Sequence, residues 1–298
     1  MAVKIHLGSN NWQDIKSVNI HLGSNNWQQV RGVHIHKGGD VWEKIWPQGI
    51  PLTNKNIGDI IKIPISGVQT DFIIVHKGNP NIGVYDISYN NGIIVLMKNI
   101  YSLTSWGVST NPWRYDTSTI HNFANTTIYN SIDASVRSLI KQVKVPYRAG
   151  YSASSPQSLV SYIGVNGVSS YVFTLDAIEL GFYDDNGVWS GVDGEGQPWS
   201  VILVGAGDKL DYFTLGDSAG ASSRIALYSG SPTSWWSRSM SYYYADIGGA
   251  GQYQHACYVT NSGTFGIVIG TTNTIGIRPA MVLPDNILVD DNGLILLD

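Results

Sequence analysis

The chain has 298 residues and a formal net charge of −4, and charged residues make up only 13% of it. That balance excludes nucleic acid as a partner, because neutralising phosphates takes clustered Lys and Arg. The single cysteine, Cys257, excludes an internal disulfide and a cysteine-built metal cage. No apolar run approaches the length of a membrane-spanning helix, Gly92–Met97 being typical of the longest, so membrane insertion is not expected.

In chain order, the first feature is an internal repeat. His6-Leu-Gly-Ser-Asn-Asn-Trp12-Gln returns as His21-Leu-Gly-Ser-Asn-Asn-Trp27-Gln and, more loosely, as His36-Lys-Gly-Gly-Asp-Val-Trp42-Glu. Each copy predicts a strand, a Gly/Asn turn and a second strand starting at the Trp. A unit this short cannot bury its own apolar face, so the copies must pack together or against other chains. Residues 1–49 are therefore expected to form a β module for attachment or oligomerisation, with the Pro- and Gly-rich stretch from Pro47 to Pro51 as its boundary. The start of the chain lacks the apolar stretch of a secretory signal, which implies synthesis in the cytoplasm.

Residues 50–298 predict an α+β domain. Ile60–Ile65, Asp71–His76, Gly83–Asp86 and Gly92–Met97 predict strands. Tyr115-Asp-Thr-Ser118 offers N-cap residues, and helical spacing follows it through Ile120, Phe123, Ala124 and Ile128 and again through Ile132, Val136, Leu139, Ile140 and Val143, which gives two short helices. Leu175-Asp-Ala-Ile-Glu179 has the form of a capping box, with Asp176 at the N-cap. From about Ser200 onward strands, turns and Gly/Ser loops are expected, with a hairpin over Val259–Ile267 turning at Asn261-Ser-Gly263.

The order of signals from Ile57 to about Pro284, with Trp235-Trp-Ser-Arg-Ser239 followed by Gly276-Ile-Arg-Pro-Ala280, resembles a phage and bacterial domain of C-type-lectin-like fold. Variable proteins of diversity-generating retroelements share that fold, and many are phage tail receptor-binding proteins. The resemblance implies an antiparallel-sheet domain with two short helices. Trp235, Trp236 and Arg238 would lie on a core strand and Arg278 on a neighbouring one, all four structural. It also implies an adhesin on a virion tail. Such a protein would bind a bacterial surface protein or glycan, contact other tail proteins through residues 1–49, and associate into a homo-oligomer such as a trimer.

Between the two motifs the chain is dense in tyrosine and glycine. Tyr242, Tyr243, Tyr244, Ala245, Asp246, Tyr253, His255, Cys257, Thr271 and Asn273 are the candidate ligand-binding residues. The first eight belong to the residue set that adenine randomisation of Asn codons yields, whereas Gln252 and Gln254 do not. The tyrosines are expected in irregular, glycine-rich backbone, where they give rigid contact area with a polar tip. Sugar-binding C-type lectins carry Glu-Pro-Asn or Gln-Pro-Asp and Trp-Asn-Asp for calcium. None occurs here, so recognition without calcium, cofactor or metal is implied. Asp184-Asp-Asn-Gly187 and Asp193-Gly-Glu-Gly196 are better read as turns than as a calcium loop. Two alternatives stand beside the adhesin: a structural or assembly protein of the tail, and a cell-wall glycan hydrolase. The hydrolase would need a carboxylate pair, for which Glu179 and Glu195 are the candidates. A catalytic role is not expected.

Overall fold

A computed structural model of the chain describes residues 49–107, 114–148, 161–182, 188–192, 198–203, 206–245, 253–268 and 272–297, with six short strands between residues 4 and 46. For residues 161, 188–192, 198–203, 241–245, 253–255 and 268, and for the six strands, it describes the backbone alone. The three repeats form three antiparallel hairpins, Lys4–His6 with Trp12–Asp14, Asn19–His21 with Trp27–Gln29, and Val33–Gly38 with Val41–Trp46. In each, the repeated His stands opposite the repeated Trp: His6 and Trp12, His21 and Trp27, His36 and Trp42. The third hairpin starts its second strand at Val41, one residue earlier than the repeat pattern predicts.

Beyond residue 49 the fold is α+β, mostly antiparallel sheet with few helices. Twelve strands carry its two main sheets: β1 (Ile60–Ile65), β2 (Val68–Lys77), β3 (Gly92–Met97), β4 (Ser102–Ser105), β5 (Val172–Phe173), β6 (Val188–Val192), β7 (Pro198–Leu203), β8 (Trp235–Ala245), β9 (Tyr253–Val259), β10 (Phe265–Val268), β11 (Thr274–Ile277) and β12 (Ala280–Pro284). The first sheet is antiparallel throughout, in the order β5-β12-β3-β2-β1. Its edge strand β1 alternates, burying Ile61, Ile63 and Ile65, whereas the central strand β3 is buried at every position. Period-2 alternation and an unbroken apolar run are what an edge strand and a doubly covered strand require. The second sheet has seven strands. β4, β11, β8, β7 and β6 follow in that order, and β9 joins β8 to β10.

The two predicted helices are one broken helical run and one short helix. A 3-10 turn at Tyr115–Thr117 leads into α-helix at Thr119–Phe123, a π-turn at Ala124–Ile128 and a last α-turn at Tyr129–Ser131. Ser118 caps it, its side chain accepting from the His121 N–H. Asn125 explains the π-turn: its amide nitrogen donates to the His121 carbonyl at 3.0 Å and the Val172 carbonyl at 2.8 Å, and its oxygen accepts from Tyr171 N at 2.8 Å. One side chain thus replaces a strand partner for the backbone at 171–172 and meets a helix carbonyl that the wider turn frees. Ala134–Arg137 is the second helix.

The capping box at Asp176 forms, but no helix grows from it. The Glu179 side chain accepts from Asp176 N at 2.9 Å, and Asp176 accepts from Ile178 N at 2.9 Å. Gly181, at φ +71°, then closes the turn, with Phe182 N bonding Ala177 O and Gly181 N bonding Ile178 O. This pairing is a Schellman stop one turn after the start. The predicted strand at Gly83–Asp86 is also a turn. Gly83 takes φ +107°, and the Asn79 amide holds the Tyr85 and Asp86 carbonyls. No helix among the described residues is long and apolar enough to cross a membrane.

Candidate functional site

The strand β8 organises the seven-stranded sheet. One of its edges is lined by β9. The other is shared between β11, parallel to it at Trp235, and β7, antiparallel to it from Ser241 to Ala245. At its base Trp235 and Trp236 are fully buried, and their ring N–H groups donate to the carbonyls of Arg224 at 3.0 Å and Thr104 at 2.8 Å. Both indoles therefore sit in the core with their one polar atom satisfied.

Between Trp236 and Met240 the ladder with β9 is interrupted, three residues of β8 facing one of β9. This bulge is where Arg238 leaves the sheet. Its backbone N–H pairs with the Leu175 carbonyl at 3.0 Å. Its guanidinium grips Glu179 through two parallel bonds of 2.6 and 2.5 Å, and donates to the carbonyls of Thr174 and Pro146, each at 2.8 Å. Arg238 and Glu179 are both 1% exposed. Burial works against the Arg238 charge, but Glu179 beside it outweighs burial and holds its pKa above the ordinary value. Glu179 is in turn saturated, accepting also from the Tyr85 hydroxyl at 2.6 Å and from Asp176 N. Burial, then the nearby Glu179 charge, keeps Tyr85 protonated and able to donate. Ser239, next along β8, donates to Asp176 at 2.6 Å and accepts from Ala177 N at 2.7 Å. The capped turn and the bulge thus lock together through a paired, fully hydrogen-bonded charge couple, the form in which buried charges are tolerated. Glu179 is committed to this lock and is no free carboxylate for hydrolysis. Glu195 lies outside the described residues, as do Asp184–Gly187 and Asp193–Gly196.

Arg278 is also buried, as expected, but lies on no strand. It sits with Pro279 between β11 and β12, where the chain passes from the seven-stranded sheet to the five-stranded one. Its Nε donates to the Met97 carbonyl at 2.7 Å, and its guanidinium lies 5.1 Å from the Trp235 ring centroid. Burial lowers its pKa to about 10. A third guanidinium, Arg224, is fully buried among the carbonyls of Gly263, Leu180, Gly216 and Asp217.

At the far end of β8 the backbone is regular, which corrects the expectation of irregular loop. Tyr242, Tyr243, Tyr244 and Ala245 lie on β8 itself, and Tyr253 and His255 on β9. Three consecutive tyrosines suit a strand better than a loop, because aromatic side chains favour the pleated backbone. Tyr243 stands opposite Val201 on β7 and Tyr253 on β9; Tyr242 stands opposite Ile202 and Gln254; Tyr244 stands opposite Ser200. Alternation places Tyr242 and Tyr244 on one face of the sheet and Tyr243 on the other, so the three cannot form one continuous surface. Cys257 is fully buried and does not belong to an exposed face. Asn273 is exposed beside β11, and Asp246 and Thr271 lie outside the described residues. The predicted hairpin is present. Thr260 N bonds Thr264 O and Gly263 N bonds Thr260 O, with Gly263 at φ +83°.

Sequence reasoning missed two parts of this site. The capping box disclosed the bond from Glu179 to Asp176 but not the distant partner Arg238, which only the fold brings close. Trp189 and Trp199, on β6 and β7, join the sheet beside the tyrosines; their alternation with Ser190, Ser200 and Val201 was the available signal. Among the described residues no group of three or more His, Cys, Asp or Glu is arranged to hold a metal ion.

No curated protein and no solved structure matches this chain. A family model described as a domain of unknown function (DUF6273) matches residues 90–285, from just before β3 to just past the end of β12 and with them the whole seven-stranded sheet. The match covers well over half of the sequence, and the chain belongs to the DUF6273 family.

Proposed function

We propose that this chain is a receptor-binding protein of a phage tail, an adhesin with a C-type-lectin-like domain that grips a bacterial surface ligand without calcium. In this reading the repeat hairpins join the domain to other tail proteins and to further copies of the chain. The observation that carries the reading is the construction of β8. Its base is fixed in the core by the Arg238–Glu179 lock and two buried tryptophans, while its far end carries three tyrosines between the aromatic-bearing strands β7 and β9. A rigid base beneath an aromatic end is the physical form of a recognition surface. Many copies on one tail would raise weak contacts to useful avidity.

The test is binding of the labelled full chain to cells of the bacterium that hosts its source element. Binding is expected to be equal in calcium and in chelator. The variant carrying Tyr242→Ala, Tyr243→Ala and Tyr244→Ala is expected to lose about tenfold or more in affinity while keeping the far-UV circular dichroism of the parent. A folded variant that binds cells like the parent would move the site off this sheet, and failure of the parent to bind at all would end the adhesin reading.

A further inference from the structure

We propose that a second copy of this chain docks on an aliphatic face built from Ile82, Ile87 and Val165, so that two domains pair through it. The inference goes beyond the recognition reading and does not depend on the tyrosines of β8. Ile82, Ile87 and Val165 are 87%, 82% and 76% exposed, more than any other large aliphatic residue among the described ones, and Ile163 is partly exposed. Each of the three sits in a tight turn. Ile82 lies in the turn Asn81–Tyr85, where the Val84 and Tyr85 N–H groups both bond the Asn81 carbonyl. Ile87 opens the 3-10 turn Ile87–Tyr89, and Val165 is the middle residue of the 3-10 turn Gly164–Asn166. Turns favour Gly, Pro, Asn, Asp and Ser for reasons of backbone. Stiff, β-branched side chains at these tips serve neither the turn nor the core.

The turns are locked side by side. Gly164 N donates to the Val84 carbonyl at 2.6 Å. The Ser88 hydroxyl accepts from Lys144 N at 3.3 Å, and the Val145 carbonyl stands against Gly167, so both 3-10 turns flank the short strand Val143–Val145. Consecutive Cα atoms are about 3.8 Å apart, which keeps Ile82 and Ile87 within about 12 Å of Val84 and Val165 within about 4 Å of Gly164. The backbone beneath the face is fixed by the Asn79 amide, which donates to the Asp86 carbonyl at 2.9 Å, and by the Asp86 side chain, which accepts from Ser88 N at 3.1 Å. A face set in advance loses little freedom on docking.

Area and charge select a second copy as the occupant. The four aliphatic residues leave on the order of 500 Å² in water, at the upper end for a patch on a monomer. That is more than half of the roughly 800 Å² each partner buries in a stable interface. From Asn79 to Tyr89 and from Tyr162 to Gly167 the one charged residue is Asp86, and Ser88 holds its carboxylate. A self-pairing face meets itself across a two-fold axis, so an unmet charge on it would face its own like, a penalty that a neutral face escapes. Lys141, Lys144 and Asp208 stand at the margin, tied to it through Asn90, Ser88 and Asn81. An apolar centre within a polar rim of both signs is the anatomy of a protein–protein interface.

The test follows the full chain by sedimentation across concentration, together with hydrogen exchange. The chain is expected to associate by about 0.1 mM, with the amides of residues 81–89 and 163–167 exchanging at least about fivefold more slowly in the associated state. The variant carrying Ile82→Asp, Ile87→Asp and Val165→Asp is expected to weaken association about tenfold or more and to keep the parent's circular dichroism, since none of the three enters the core. Val68→Asp alters an exposed aliphatic residue at the far end of β2. It lies about 30 Å away along the strand and is expected to change association by less than about twofold. The variant with alanine at Tyr242, Tyr243 and Tyr244 is expected to associate like the parent, so this proposal and the recognition reading fail separately. A chain still monomeric at about 0.1 mM overturns the pairing. So does association that leaves exchange at both turns unchanged, which would assign it to the repeat hairpins, and so does a folded triple-Asp variant that associates like the parent. Slower exchange at these turns only when cell-wall fragments of the host are added to a monomeric chain would give the face to the receptor instead. The exchange measurement needs no variant, so a triple-Asp chain that failed to fold would leave the test intact.

Discussion

His121 shows how a single buried group makes the domain sensitive to acid. It is 9% exposed, stacks on Tyr115 with ring centroids 5.2 Å apart, and places Nε2 3.3 Å from the Ser170 hydroxyl. Its Nδ1 is buried without a hydrogen-bond partner, so a proton added there would be an unmet donor. Burial pulls its pKa from 6.5 down to about 4, against a smaller upward pull from Asp116. Between those values the unfolded chain binds a proton that the folded chain refuses, so stability falls as pH drops from neutral toward 4. From pH 7 to pH 4.5 the loss through this one residue is about 2 kcal/mol. A His121→Phe chain keeps the ring stack and lacks the titration. Urea unfolding at both pH values is expected to show the parent losing about 2 kcal/mol more than the variant, and parallel losses would show that His121 is not the group responsible. At this scale the sequence was partly readable. Ser118 as a cap could be seen because capping is local, whereas the burial of His121 depends on Ser170 and Tyr115 folding over it.

At the scale of elements, the turn between β9 and β10 ties the edge of the large sheet to the body of the domain. Gly263 has φ +83°, and a Cβ there would run into the carbonyl of Ala221, so the turn lies directly against the short helix Ala221–Arg224. Arg224 Nε completes the dock with a 3.0 Å bond to the Gly263 carbonyl. Gly263→Ala adds both backbone strain and a clash, and is expected to cost about 2–4 kcal/mol in a urea melt; an unchanged midpoint would mean that the turn does not dock there. This hairpin could be foreseen because Asn-Ser-Gly is a local signal. The pairing of Trp199–Leu203 with Ser241–Ala245 could not, since it joins segments about forty residues apart and is set by the sheet as a whole. The same limit explains the tyrosines. Neighbouring glycines suggested loop, but pairing on both edges of β8 decides for strand. The capped turn at Asp176 was legible at its start, and its length was decided by Gly181.

On the scale of the whole molecule, the chain enters the domain where it leaves it. Ile50 and Pro51 pair with Val289 and Leu288, Leu52 N bonds Ile287 O, Thr53 N bonds Asp285 O, and Leu52 is fully buried. The Pro- and Gly-rich stretch Pro47–Pro51 runs into this pairing, and proline and glycine punctuate where one regular element gives way to another. Upstream of it, the first two hairpins are held by ladders only three residue pairs long. Isolated two-stranded hairpins of that size are marginal in water, so they add little to the stability of the domain. A chain of residues 49–298 is therefore expected to unfold in one cooperative transition, within about 1 kcal/mol of the corresponding transition of the full protein. Residues 1–48 alone are expected to show ordered circular dichroism only at concentrations where sedimentation shows them associating, since a repeat unit gains its buried face from its neighbours. A shortened chain that fails to fold would mean that the repeats are part of the domain's core, and an ordered monomer of residues 1–48 would mean that the three hairpins complete one another within a single chain.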